Sequence, residues 1–323
     1  MPRLLILTKP LHPPAASFTV TPQPEQLLAS WAPPPGRGHT HLAGYRLLVT
    51  ASSGRLVAEV STPRQQTAAT LARGVRSGEQ YCVALASVAA DRADPLRPLE
   101  SVSDYIQQTV VTPPPPPTSL RLEAAHPSSL KIQWAAPGQG PARGKLSYSL
   151  SIAQASPGAG QQRTREAEVP RYLWTQLVSG TCHRVTVRCV LTLASGAVSL
   201  GPAAEAVFTT RPLPPEQLRA RGGRVLAWRR SPSRTVGWYK LKLRRARDKA
   251  ADHWVEAPGR AEEVTFQLPP ELEPGAEYKL NIYSVVAGAG VESEPLFSKI
   301  TLQQTEGGAD KITIKLCKCS NKL

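Results

Sequence analysis

The sequence predicts an all-β chain of three tandem two-sheet β-sandwiches joined by Pro-rich linkers, and three observations predict it. Alternating apolar runs end in tryptophan three times: LLASW at Trp31, LKIQW at Trp134 and RVLAW at Trp228. A glycine-containing landmark follows each one, VRSGEQY ending at Tyr81, LVSGTCH at His183 and LEPGAEY at Tyr278. Counted from the tryptophans, the separations are 81 − 31 = 50, 183 − 134 = 49 and 278 − 228 = 50 residues. A third strand lies between the landmarks in every copy, starting at Tyr45, Tyr148 and Tyr239. Features recurring in order at matched spacing mark an internal repeat.

Each element follows from its pattern. Leu27 and Ala29 share the face of Trp31, and Leu130 and Ile132 share that of Trp134, a period of two with one apolar side that reads as a half-buried strand. Proline closes two of these runs, as it closes strands generally. The joints TKPLHPP (Thr8 to Pro14), TPPPPPT (Thr112 to Thr118) and TRPLPP (Thr210 to Pro215) each precede a first strand. Polyproline makes them semi-rigid spacers. The expected division is a leader over 1–12, repeats over 13–112, 113–210 and 211–303, and a tail over 304–323 that fits no repeat. Residues Arg3 to Leu7 read as the last strand of a further repeat upstream, so the sequence is expected to be a piece of a longer array.

These landmarks resemble the fibronectin type III repeat, an immunoglobulin-like sandwich of ~100 residues with seven strands. The resemblance implies that Trp31, Trp134 and Trp228 are buried on strand B. It also implies that Tyr81 and Tyr278 make a tyrosine corner entering strand F. Leu272, Pro274, Gly275 and Tyr278 match the corner segment fully, whereas the second copy carries His183 in the tyrosine position, which puts its corner hydrogen bond in question. Arrays of such repeats are found in cell-surface receptors and adhesion proteins, and the chain is distantly similar to receptor-type tyrosine phosphatase ectodomains. A cytoplasmic scaffold with type III repeats between peptide-binding domains is the alternative.

The chain of 323 residues has a net charge of +15 and a pI near 9.9, so an acidic partner is expected. Twelve Lys or Arg and one acid, Asp248, lie between Arg219 and Lys249. In strand C of the third repeat, Tyr239, Leu241 and Leu243 share the core parity, leaving Trp238, Lys240, Lys242 and Arg244 outside. Arg229, Arg230, Arg245 and Arg247 are expected to widen this stripe, which suits a sulfated glycosaminoglycan or an acidic protein surface. Trp238 would stack on a sugar. The bland alternative is a solvated face whose charges block edge pairing. Nucleic acid is a weaker fit because no recognition fold accompanies the charge.

Nothing in the sequence points to catalysis. Phosphate-binding, dinucleotide, nucleophile-elbow and zincin motifs are missing. No cofactor, metal or small-molecule substrate is expected, and another protein is the expected partner. Five cysteines, Cys82, Cys182, Cys189, Cys317 and Cys319, make no disulfide framework. Cys182 and Cys189 lie seven residues apart on one strand, too far to bridge. Cys317 and Cys319 lack the second ligand pair of a zinc site. No apolar run reaches ~18 residues, so the membrane would be met only through another part of the parent protein. An extracellular or cell-surface location is expected, with cytoplasmic as the alternative.

Overall fold

The computed structural model describes residues 7–35, 42–91, 99–138, 144–155, 162–245, 251–256, 262–304 and 310–316. In the first repeat, β1 (Thr19–Gln23), β2 (Gln26–Ser30) and β5 (Ala68–Leu71) form one sheet. The second sheet holds β4 (Leu56–Pro63), β3 (Leu42–Ala51), β6 (Gln80–Asp91), β7 (Leu99–Val102) and β8 (Ile106–Val111), the last two both pairing with β6. The second repeat sets β13 (Arg171–Trp174), β10 (Ser129–Ala135) and β9 (Thr118–His126) against a second sheet. That sheet runs β12 (Arg163–Ala167), β11 (Lys145–Gln154), β14 (Cys182–Thr192) and β15 (Val198–Thr209). In the third, β16 (Glu216–Arg221), β17 (Val225–Arg229) and β20 (Glu263–Gln267) make the three-stranded sheet. Opposite it the order is β19 (Ala251–Glu256), β18 (Val236–Arg245), β21 (Glu277–Val286), β22 (Leu296–Gln304) and β23 (Asp310–Leu316).

Alternation builds the cores. Leu27, Leu47, Val49, Tyr81, Val83 and Leu85 are buried in the first, and Leu130, Ile132, Leu150, Val185 and Val187 in the second. Each tryptophan of strand B (β2, β10 and β17) stands edge-on to a tyrosine within strand C (β3, β11 and β18): Trp31 to Tyr45 at 5.3 Å, Trp134 to Tyr148 at 5.1 Å and Trp228 to Tyr239 at 5.5 Å between centroids. Such pairs add about 0.5–1.5 kcal/mol to what burial alone supplies. The three tryptophans are at most 5% exposed.

The corners recur too. The Tyr81 hydroxyl accepts from the Arg76 amide at 2.8 Å, and the Tyr278 hydroxyl from the Glu273 amide at 3.0 Å. His183 occupies the same buried place, its ring engaging the backbone of Val178, which is again five residues back. The Nε2 atom is left without a partner. Burial holds its pKa below the usual imidazole value, with Val178 opposing that and Arg163 adding to it.

A threonine pins the end of the last strand, strand G (β8, β15 and, in the third repeat, β22), to this corner in the first two repeats. Thr112 Oγ1 donates to the Arg76 carbonyl at 2.7 Å and accepts from the Glu79 amide at 3.0 Å. Thr210 Oγ1 likewise donates to the Val178 carbonyl at 2.6 Å and accepts from the Thr181 amide at 3.0 Å. The register places Leu302 at this position in the third repeat, where Glu277 faces Thr301 as Cys182 faces Thr209. Gly275 still donates to the Leu302 carbonyl at 2.8 Å, but Leu302 itself carries no hydroxyl and no proline follows it.

With nothing to end it, strand G runs on to Gln304, and the chain returns as β23, antiparallel to β22 from Ser298–Leu316 to Gln304–Asp310. The tail reading over 304–323 is therefore corrected. Ile312 is buried in the third core and Ile314 packs against it, so part of that segment is an eighth strand of the repeat. β23 also lies beside β16 of the opposite sheet, covering the side of the sandwich. Residues 1–6, which hold most of the expected upstream strand, and Cys317 and Cys319 lie outside the described residues.

Candidate functional site

Because β18 alternates, Tyr239, Leu241 and Leu243 are buried while Trp238 is 43% exposed on the outer face with Lys240, Lys242 and Arg244. The members of this expected stripe are unlike one another. Lys240 is half-buried, with its ammonium 3.2 Å from Glu292 Oε1. Lys242 Nζ stands 5.9 Å from the centroid of the Tyr283 ring, a cation–π contact. Arg244 is exposed at the strand's end.

Two of the expected additions belong elsewhere. Arg229 and Arg230 come from strand B, which is consecutive with strand C in sequence but lies in the opposite sheet. They border an open groove with Arg234, where Glu216 and Glu262 supply the opposite charge. Arg245 has the core parity, extends past the core at the strand's end and pairs with Glu273 at 2.6 Å. Arg219 donates to Glu263 at 2.7 Å and Arg221 pairs with the same carboxylate. Much of the basic cluster is thus answered by acids from later in the chain. Arg247 lies outside the described residues.

Cations that the strand-C reading missed come from across the sheet. Arg244 faces Lys279 of β21, Lys279 faces Lys299 of β22, and Lys299 faces Lys315 of β23. Four basic residues therefore stand side by side on four adjacent strands, on one face, at strand spacings of about 4.8 Å. Lys311 of β23 shares that face. Glu277 of β21 pairs with Lys299 at 2.8 Å. That hydrogen bond, with the charges of Lys315 and Lys279, holds its carboxyl below the usual range. The alternation in EYKLN, FSKIT and KITIK carries this signal in the sequence, but only the register assembles it.

Other candidates have structural settings. Cys189 is fully buried and its thiol is pushed up to about 11 by burial. Cys82 and Cys182 are half-buried free thiols. Among the described residues no group of three His, Cys, Asp or Glu could hold a metal ion. Among the described residues no helix is long and apolar enough to cross a membrane.

No protein-family model and no curated protein matches the chain. Among solved structures, it is similar to a two fibronectin type-III domain segment of chicken tenascin, at 20% identity. That match covers 62% of this chain and 99% of the other, with a TM-score of 0.37. The FN1–FN3 domains of chicken CNTN1 match at 14% identity, over 93% of this chain and 98% of the other, with a TM-score of 0.29. The sheet order, the buried strand-B tryptophan and the corner bond give each unit of the chain the fold of a fibronectin type III repeat.

Proposed function

We propose that the chain is a non-catalytic interaction array of the adhesion or receptor-ectodomain kind, which meets an acidic partner on the outer face of its third repeat. The observation that carries the reading is the charge of that face. Its described side chains include Lys240, Lys242 and Arg244 from β18, Lys279 and Lys299 from β21 and β22, and Lys311 and Lys315 from β23. The acids among them are Glu277 and Glu292. By position, Asp252 and Glu256 of β19 stand across from Lys242 and Trp238, away from the β23 side. The excess of positive charge therefore grows towards β23, and a cationic face of that kind attracts polyanions.

The test is retention of the full chain on immobilised polyanion, comparing a Lys242→Ala/Arg244→Ala variant with an Arg171→Ala/Arg188→Ala control of equal net charge. The first is expected to elute at distinctly lower salt. Equal elution of the two variants would show that net charge alone drives retention and would remove the surface from consideration. The three thiols at Cys82, Cys182 and Cys189 favour a second reading, a cytoplasmic scaffold using the same face. Secretion of a tagged parent protein would decide between the compartments.

A further inference from the structure

We infer that repeats 2 and 3 are locked at one angle by a docking joint, in which the corner 178–181 of repeat 2 seats on the loop 230–235 of repeat 3, between β17 and β18. The two sandwiches then move as a single rigid unit. The inference goes beyond the reading of the third repeat's outer face and is independent of what that face binds.

Two side-chain bonds cross the joint. The Ser179 and Ser233 hydroxyls share a hydrogen bond at 2.7 Å, and Thr235 Oγ1 donates to the Gly180 carbonyl at 2.6 Å. The receiving loop is itself held in place. Ser233 is 2% exposed, its hydroxyl accepts from the Leu213 amide at 2.9 Å, and its amide donates to Ser231 Oγ at 3.1 Å. Ser231 in turn donates its hydroxyl to the Leu213 carbonyl at 2.6 Å and its amide to the Tyr239 hydroxyl at 2.8 Å. The loop is therefore tied to the linker and to the third core by bonds that do not involve repeat 2. Contacts between groups already ordered cost little further entropy, so two of them suffice to hold an angle.

Close approach shows at the corner glycine. Gly180 is buried at φ +66, and a Cβ there would meet Thr235 Oγ1 at 2.6 Å and the Pro212 and Ser233 side chains at 3.5 Å. Gly275 holds the same corner position in the third repeat at φ +80, with no described atom within 4 Å of its Cβ position. The turn accounts for glycine at both places, and the third repeat adds a second demand at Gly180. The linker leaves no slack either. Thr210 is pinned to the corner behind it and Leu213 to the loop ahead, so only Arg211 and Pro212 span the gap. The Arg211 carbonyl accepts from the Gly180 amide at 3.1 Å, and its guanidinium pairs with Glu294 of the third repeat. Pro212 is buried and its ring fixes φ. The stiffness of this joint thus comes from bonded ends as well as from proline.

Residual dipolar couplings of the isotopically labelled full chain in an uncharged aligning medium read the joint, because two bodies that move as one share a single alignment tensor. Repeats 2 and 3 of the parent are expected to give equal tensors. A Ser179→Ala/Thr235→Val variant removes both crossing hydroxyls and leaves each repeat's own bonds in place, so the shared tensor should be lost. Gly180→Ala should lose it too. Gly275→Ala places a Cβ on the same kind of turn where no other repeat approaches, and should keep the tensors equal, which separates strain in a corner from loss of the joint. Unchanged amide shifts across the sheets would verify that each variant is folded. Unequal tensors in the parent overturn the fixed joint. Equal tensors in both the parent and the Ser179→Ala/Thr235→Val variant overturn its assignment to these residues.

Discussion

Replacing Thr210 by valine removes one hydroxyl and nothing else of its shape, and the consequence can be worked from the bonds. The hydroxyl donates to the Val178 carbonyl at 2.6 Å and accepts from the Thr181 amide at 3.0 Å, and Thr210 is fully buried. Each neutral bond contributes about 0.5–1.5 kcal/mol net, and a buried donor left unpaired costs about 1–3 kcal/mol. The amide of half-buried Thr181 loses its acceptor in the variant, whereas the Val178 carbonyl keeps the His183 ring as a neighbour. The sum expected is about 2–3 kcal/mol, confined to the second repeat. Hydrogen exchange read by mass spectrometry provides the assay. Amides in the Val178–Val187 peptide should open about 30- to 150-fold more often, which is that free energy converted at 1.4 kcal/mol per ten-fold. Peptides of the third repeat, where Leu302 holds the same place, serve as the reference. A change below about two-fold at Thr181 would refute the claim that this threonine pins strand G to the corner.

Other perturbations test neighbouring claims. The second repeat should be most stable above pH ~6.5 and weaken as pH falls through the depressed pKa of buried His183, because the unfolded chain takes up the proton first. Urea midpoints at pH 7.5 and 5 read this slope, and His183→Tyr should abolish it. Gly201→Ala should cost the second repeat about 1–3 kcal/mol in urea unfolding. The new Cβ would meet the Pro114 carbonyl oxygen at 2.4 Å and the Cys189 carbonyl oxygen at 3.4 Å, both backbone atoms. A maleimide should label Cys82 and Cys182 in the native protein and leave Cys189 unmodified until denaturant is added, since burial keeps it a thiol. Rapid native labelling of the Cys189 peptide would contradict its place in the core.

What the sequence made legible is whatever one strand can carry alone. Trp31, Trp134 and Trp228 and the corner residues announce themselves through period and spacing, and they sit where that pattern puts them. The basic surface is a property of several strands, and there linear reading fails in two directions. Arg229 and Arg230 are neighbours of strand C in sequence but lie in the opposing sheet, because consecutive B and C strands cross between layers. Lys279, Lys299 and Lys315 are 20 or 16 residues apart in sequence and adjacent in space, because antiparallel register sets one residue of each strand opposite one of the next. The eighth strand is carried by the KITIK alternation after a Gly-Gly pair, a hairpin signal that lies beyond the seven strands of the repeat pattern.

The antiparallel return of β23 has a mechanical consequence. A load applied at Leu316 acts where that residue faces Ser298, so it pulls the strand away one hydrogen-bonded pair at a time, and unzipping yields at lower force than shearing. The outer strand would therefore detach before the sandwich itself bears strain. As it left, Lys311 and Lys315 would go with it, and the basic face would lose its outermost charges while the fold beneath stayed whole.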